Sequence, residues 1–220
     1  MIYPPERMPE RDAAILATAR HVPFDGWTKR ALRAGVADAG LPDDETDLLF
    51  PLGIVDMIET FSDLADRRME EAAKTITETR LSGRVRAVIA LRLEQNRPYK
   101  EAVRRALSIL ALPANAPEAA ACTARTIDAI WYAAGDRSAD FSWYTKRAIL
   151  TAIYTATLLY WLGDTSEDDA PTLAFLDRRL AAFGRIHQVR KRVDSLLARV
   201  PRPPALRPPP GVPRAVGDTD

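Results

Sequence analysis

The sequence predicts an all-α protein. Apolar residues recur at three- and four-residue steps almost throughout. No segment alternates apolar and polar over strand length, and runs of β-branched residues are absent. The 220 residues are 47% hydrophobic and 28% charged, the balance of a globular protein with a sizeable core. Lys+Arg is 31 against 30 acids, which excludes the overall basicity of many nucleic-acid binders. Cys122 is the single cysteine, so no intrachain disulfide forms and a reducing compartment is allowed. The longest uncharged stretch, Ala148 to Gly163, has 16 residues. A membrane span needs about 20 apolar residues, so this stretch reads as a buried core helix. The N-terminus from Met1 to Arg7 lacks the apolar core of a signal peptide and is too acidic and proline-rich for a transit peptide. A cytoplasmic protein is expected.

Taken in order, the first helix is expected over Asp12–His21, with Ala13, Ile15, Leu16 and Ala19 inward. Val22-Pro23-Phe24-Asp25-Gly26 should break it, because Pro and Asp-Gly form turns. A second helix is expected over Trp27–Ala39, capped by Thr28 and ended by Gly40. A short third helix starts at Asp43-Asp44-Glu45 and reaches Phe50. A long amphipathic helix follows from Ile54 to Glu78, with Ile54, Ile58, Phe61, Leu64 and Ala65 on one face. After a Ser82-Gly83 break come helices over Arg84–Gln95 and from Pro98-Tyr99 to Leu110, then a linker over Leu112–Pro117. Helices Glu118–Ala134 and Phe141–Leu162 are joined by Gly135-Asp136-Arg137-Ser138. A turn over Gly163–Glu167 leads to a basic helix over Ala174–Arg199. From Pro201 the chain has seven prolines in twenty residues, so it is expected to be disordered or polyproline-like. The expected divisions are 1–10, an N-terminal extension; 11–53, a helix-turn-helix-like module; 54–166, a helical lipid-binding core; 167–200, an amphipathic basic helix; and 201–220, a proline-rich tail.

Charge is unevenly spread. Ten acids between Leu41 and Ala73 are opposed only by Arg67 and Arg68. Seven bases between Ala174 and Val200 are opposed only by Asp177 and Asp194. Such asymmetry fits a basic element with an anionic partner, two blocks facing each other, or simply solvated helix faces.

Three short N-terminal helices with a glycine after the second resemble the helix-turn-helix domain of TetR-type repressors, down to the Phe50-Pro51-x-Gly53 exit. A working reader sets its recognition helix against phosphates, where lysine and arginine release counterions. Here that helix carries Asp43, Asp44, Glu45 and Asp47 and no base. A three-helix packing module is expected instead of DNA recognition.

The residues become specific in Trp131-Tyr132-Ala133-Ala134-Gly135-Asp136-Arg137-Ser138-Ala139-Asp140-Phe141-Ser142-Trp143-Tyr144-Thr145-Lys146-Arg147. With His21-Val22-Pro23-Phe24-Asp25-Gly26-Trp27 and Phe175-Leu176-Asp177-Arg178-Arg179-Leu180, this stretch resembles the lipid-binding accessory family of ubiquinone biosynthesis, coenzyme Q protein nine, over about residues 11–195. The resemblance implies a TetR-like all-α fold without DNA binding and a homodimer. It also implies a hydrophobic pocket for an isoprenoid or other lipid, and a C-terminal amphipathic helix that engages the membrane. It further implies a complex with the di-iron hydroxylase of the demethoxyquinone ring, to which the protein would present the intermediate without doing chemistry itself. Its partner patch carries over to Asp140, Trp143, Tyr144 and Arg147. The eukaryotic transit peptide has no counterpart here, so a bacterial version, peripheral on the inner membrane, is expected. The proline-rich tail departs from the family pattern.

The residues themselves allow these roles beside blander ones. In the last helix Phe183, Ile186, Val193, Leu196 and Leu197 continue one apolar stripe, with Arg190, Lys191 and Arg192 mainly to its sides. Such a helix lies in a membrane interface, or packs on its own protein or a second subunit. Trp143 and Tyr144 are adjacent and point about 100° apart, so at least one lies at a rim or on the surface. An exposed aromatic there anchors a partner; a buried one is core. Arg147 is placed to stack on Trp143 or to pair with Asp140. The Ala148–Trp161 stretch is apolar nearly all round, and its small residues leave either a cavity or tight helix packing. Candidate lipid-lining residues are Ile149, Ile153, Tyr154, Leu158 and Trp161 with Val88, Leu91, Leu107 and Ile127.

Catalysis is not expected. His21 and His187 are far apart, no Glu-x-x-His pair accompanies them, and there is no phosphate loop or nucleophile elbow. Cys122 sits among alanines as a small core residue. No metal or cofactor is implied beyond a bound lipid or isoprenoid quinone intermediate. The alternative reading is a TetR-like transcriptional regulator sensing a hydrophobic effector; a third is a scaffold that binds the hydroxylase without lipid.

Overall fold

The computed structural model describes residues 4–136 and 142–182, with the Glu45, Ser142 and Trp143 side chains outside that description. Contacts group Met1–Leu180 as one compact unit and place Ala181–Asp220, almost wholly outside the described residues, in a second. The described residues are helical, without strands. They form α1 (Pro9–Asp25), α2 (Lys29–Asp38), α3 (Thr46–Leu49), α4 (Ile54–Ala73), α5 (Leu81–Asn96), α6 (Lys100–Leu110), α7 (Ala116–Ala133) and α8 (Ser142–Gly163). A ninth helix, α9, starts at residue 170 and is described to residue 182. Short 3-10 turns precede α3, α6 and α7.

Helix existence follows the apolar spacing; several boundaries do not. α1 begins three residues early at Pro9, whose missing N–H is no loss in a first turn, with Glu10 and Asp12 facing the helix dipole. It also runs through the expected break to Asp25. Pro23 forfeits one hydrogen bond in the last turn, while Val22 beside it is fully buried. Gly26, with φ 70°, then ends the helix through its N–H to the Val22 carbonyl. Ala13 is exposed rather than inward; Ala14 and Ile15 fill the core. Thr28 caps α2 by accepting from the Ala31 N–H, as its residue type suggests. α4 ends at Ala73, short of Glu78, where Thr75, Ile76, Thr77 and Thr79 bring β-branched crowding. Ile54 lies 41% exposed on its first turn, outside the inward face. α5 starts before the Ser82-Gly83 pair, which its first turn absorbs.

α4 is the central helix, packed against α1, α5, α6 and α7. The expected boundary after residue 53 is not a boundary in packing. One core joins Ile15, Val22, Trp27, Leu32 and Val36 to Met57, Ile58, Phe61, Ala102 and Ala106. The Trp27 and Phe61 rings lie 5.4 Å apart, Phe61 and Tyr99 6.0 Å apart, and the Trp27 indole N–H donates to the Ala102 carbonyl at 3.0 Å. The first three helices have too little apolar surface to fold around themselves, so they borrow α4 and α6.

On α4, Asp56, Glu59, Asp63 and Asp66 do not form a solvated face; each is paired with an arginine. Arg11 pairs with Asp56 and donates to Thr60 and to the Leu49 carbonyl, all buried. Arg7 and Arg67 share Asp63, Arg67 also clamps Asp12, and Arg125 reaches Glu59. Arg92 meets Asp66.

Candidate functional site

A cavity of about 100 Å³ lies inside the bundle where α4, α5, α6, α7 and α8 converge. Most of its wall is apolar: Ile58 and Phe61 from α4, Leu93 from α5, Val103 and Leu107 from α6, and Leu158 from α8. Of the sequence candidates, Leu107, Tyr154, Leu158 and Trp161 line it. Val88, Leu91, Ile127, Ile149 and Ile153 do not. Val88 and Ile127 are buried in helix packing instead, and Leu91 turns its side chain away while its neighbour Arg92 takes the wall position.

Arg92 is the wall residue that the sequence reading missed. Its guanidinium is buried, contacts the Asp66 carboxylate, donates to the Tyr154 hydroxyl at 2.8 Å, and reaches Thr126 Oγ1 at 3.4 Å. Thr126 in turn donates to Asp66 at 3.0 Å. A usable signal existed. Val88, Ile89, Arg92 and Leu93 form one helical face, so Arg92 interrupts an apolar stripe, and Asp66 interrupts another on α4. Burial pushes the Asp66 carboxyl up to about 6, against the pull of Arg92 and the Thr126 hydrogen bond. Burial likewise pushes the Cys122 thiol, also on the wall, up to about 11, which keeps it protonated and unreactive at neutral pH.

The second candidate surface is the outer edge of α7 and α8. Tyr144 is 73% exposed and Tyr132 on α7 is 69% exposed. Arg147 bridges to Asp128 of α7 at 2.5 Å. Asp140 and the Trp143 side chain lie outside the described residues. So do Phe183, Ile186, Arg190, Lys191, Arg192, Val193, Leu196, Leu197 and His187. His21 meets Asp38 at 2.7 Å, joining α1 to α2. The acidic third helix exposes Asp43, Asp44 and Asp47, with Asp47 held by Lys29 at 2.8 Å. Among the described residues no helix is long and apolar enough to cross a membrane, and no group of three or more metal-ligating residues gathers.

The fold is that of TetR-type regulators. A TetR transcriptional regulator from Nitrosomonas europaea superposes with a TM-score of 0.64, covering 80% of this chain and 98% of that one at 23% identity. A family model described as COQ9 matches residues 116–187. The Schizosaccharomyces pombe mitochondrial ubiquinone biosynthesis protein coq9 is 35% identical over 196 residues, covering 87% of this chain and 77% of that protein. The chain belongs to the COQ9 family. The human mitochondrial COQ9 is 33% identical over 189 residues, and the Drosophila melanogaster protein 36% over 171. The chain spans about three-fifths of the human protein's length, 59%, and about half of the fly protein's, 52%. The COQ9 match begins at α7, so it takes in the exposed tyrosines and the Asp128–Arg147 bridge.

Proposed function

We propose that this COQ9-family protein is a non-catalytic accessory of ubiquinone biosynthesis. It binds isoprenoid quinone intermediates at the membrane and presents them to the di-iron demethoxyubiquinone hydroxylase. The observation that carries the reading is similarity to ubiquinone biosynthesis proteins along nearly the whole chain, 87% of it in the fission yeast comparison. The cavity among α4–α8 supplies a sheltered apolar interior. At about 100 Å³ it is below the roughly 300–1,000 Å³ of a pocket enclosing a whole drug-sized ligand. The helices therefore admit one end of a long lipid at a time, or part to take more. The exposed Tyr144 with Arg147 offers the hydroxylase a docking edge, since exposed aromatics and arginines anchor interfaces. The basic, apolar-striped sequence past residue 182 takes the membrane-binding role, with the protein peripheral on the inner membrane of a bacterial cell.

Deleting the gene in its source organism should lower ubiquinone and accumulate the demethoxy precursor, with rescue by the intact chain. Unchanged quinone pools, in a strain without a second copy, would end the reading. Tyr144→Ala should reduce co-purification of the hydroxylase while leaving the folded protein's melting unchanged; Arg147→Glu should reduce it too and, by setting a carboxylate against Asp128, also lower the melting temperature. Removing residues 174–200 should abolish flotation with anionic liposomes.

A helix face of α8 also fits a second copy of this chain. Ala148, Ala152, Thr155 and Leu159 are exposed at steps of four, three and four, without a charge among them. Small residues at such spacing let two helices approach closely.

A further inference from the structure

Among the described residues the most exposed large apolar side chains are Phe24, Leu52 and Leu48, at 87%, 81% and 76%. All three belong to the N-terminal three-helix module. Leu48 and Leu52 lie four residues apart along α3 and the turn that follows it. Thr46, Leu49 and Phe50 turn inward there, while Asp43, Asp44, Asp47, Leu48, Pro51 and Leu52 face solvent. Ile54 extends the apolar surface into the first turn of α4. Isolated exposed leucines need no explanation, but apolar residues grouped on one face mark an interaction surface.

This face is held from beneath. The buried Arg11 guanidinium donates to the Leu49 carbonyl, lies 4.6 Å over the Phe50 ring and pairs with Asp56. The Gly53 N–H closes the turn on the Phe50 carbonyl at 3.0 Å. The leucines are thus presented on a fixed backbone, and little ordering cost opposes binding through them. A helix-turn-helix reads DNA with this end of its fold. Here the chemistry selects a different ligand. Asp43 and Asp44 have no ion-pair partner among the described residues. Of the neighbouring bases on α2, Lys29 is taken by Asp47, Arg33 also faces Asp47, and Arg30 is taken by Asp25. Free carboxylates beside leucines repel phosphates, whether of DNA or of anionic lipid headgroups. A protein segment with Lys or Arg flanking an apolar side satisfies both halves of the face: its apolar side covers Leu48 and Leu52, and its bases meet Asp43 and Asp44.

We propose that this face docks a basic, amphipathic segment of a second protein, distinct from the hydroxylase. Leu52 and Ile54 stand at the start of α4, whereas Tyr132 shares a groove with Ala73 and Lys74 at its end. The 20 residues of α4 span about 30 Å. One bundle therefore engages two proteins at once, one at each end of α4. The apolar surface is small, so the contact is weak and transient.

The test places the photo-crosslinker p-benzoylphenylalanine at Leu48 or at Leu52 of the full chain in its source organism. Both positions should crosslink the same protein, at a segment in which Lys or Arg flanks apolar residues. That segment, made as a peptide, should bind the wild-type chain in calorimetry and weaken as salt rises. It should bind the double variant Leu48→Ser/Leu52→Ser about tenfold more weakly, from lost apolar burial, and Asp43→Asn/Asp44→Asn about fivefold more weakly. These side chains are exposed, so an unchanged thermal melt separates lost binding from lost folding. Absence of crosslinks overturns the inference. So do crosslinks only to lipid, to DNA, to the hydroxylase or to this chain itself, a captured segment that is not basic, and equal peptide affinity in wild type and variants. The reading of the hydroxylase edge stands or falls separately. Leu48→Ser/Leu52→Ser should leave hydroxylase co-purification intact, and Tyr144→Ala should leave the crosslinks at Leu52 intact.

Discussion

Asp66 places a carboxylate where the hydrophobic interior opposes its charge. In the unfolded chain it titrates near 3.8; in the fold burial raises it to about 6. Between those values the folded protein binds a proton that the unfolded chain does not. The stability linked to this group is therefore complete below about pH 4 and is lost as pH rises through about 6. Asp66→Asn, a permanent mimic of the neutral form that still accepts from Arg92 and Thr126, should leave stability near pH 4 unchanged. It should raise stability at pH 7 by up to about 3 kcal/mol, the value of a two-unit shift. Removing one partner of a buried ion pair ordinarily strands the other charge, so the gain requires that Arg92 keep the Tyr154 hydroxyl, Thr126 and the new amide oxygen as acceptors. Urea unfolding at pH 4, 5.5 and 7 reads the difference; a gap between the proteins that does not change with pH refutes it. Asp66 and Arg92 were legible only as interruptions in two apolar stripes, and nothing along the chain said that they meet across 26 residues.

At the scale of elements, the crossing of α1 and α2 depends on Gly35. A Cβ there would lie 2.2–2.6 Å from Thr18, including its backbone N and Cα, so the helices must separate to accept any side chain. Thr18 has no room to yield, being fully buried with its hydroxyl bonded to the Ala14 carbonyl at 2.7 Å. Gly35→Ala, which raises helix propensity, should nonetheless destabilise the protein by about 1–3 kcal/mol through overpacking. For a chain of this size that lowers Tm by about 2–4 °C per kcal/mol in a thermal melt. An unchanged or higher Tm would mean that the crossing relaxes freely. Helix periodicity revealed each element and the cap at Thr28, because those signals are local. It could not reveal that a mid-helix glycine marks a close approach, nor that α1 continues through Pro23. Both depend on what lies across the interface: Thr18 for the one, the burial of Val22 and a bond from Arg105 to the Pro23 carbonyl for the other.

For the whole molecule, the fold class and the family were legible because both rest on long patterns, helical spacing and the Trp131–Arg147 signature. The cavity was legible only in part, since periodicity ranks residues by burial and does not separate a cavity wall from solid packing. Leu107 and Leu158 line the space while the equally apolar Val88 and Ile127 do not. Surface assignments need the assembled bundle. On α8 the buried Leu150, Tyr154, Thr157 and Trp161 define the inner side, and Ala148, Ala152, Thr155 and Leu159 then define the outer. Ala148 to Leu159 rises about 17 Å, three turns of uncharged surface. Leu159 alone is 59% exposed, and beside it Tyr160 stacks on Phe175 at 4.6 Å. Paired with its own copy across a two-fold axis, this stripe meets itself, the arrangement that closed dimers use. Light scattering should find the wild-type chain dimeric and Ala152→Glu monomeric, because two carboxylates would face each other at the centre of the contact. Thr165→Glu, exposed in the turn after α8, should stay dimeric. A dimer that survives Ala152→Glu would place the subunit contact elsewhere and leave this face of α8 to another partner.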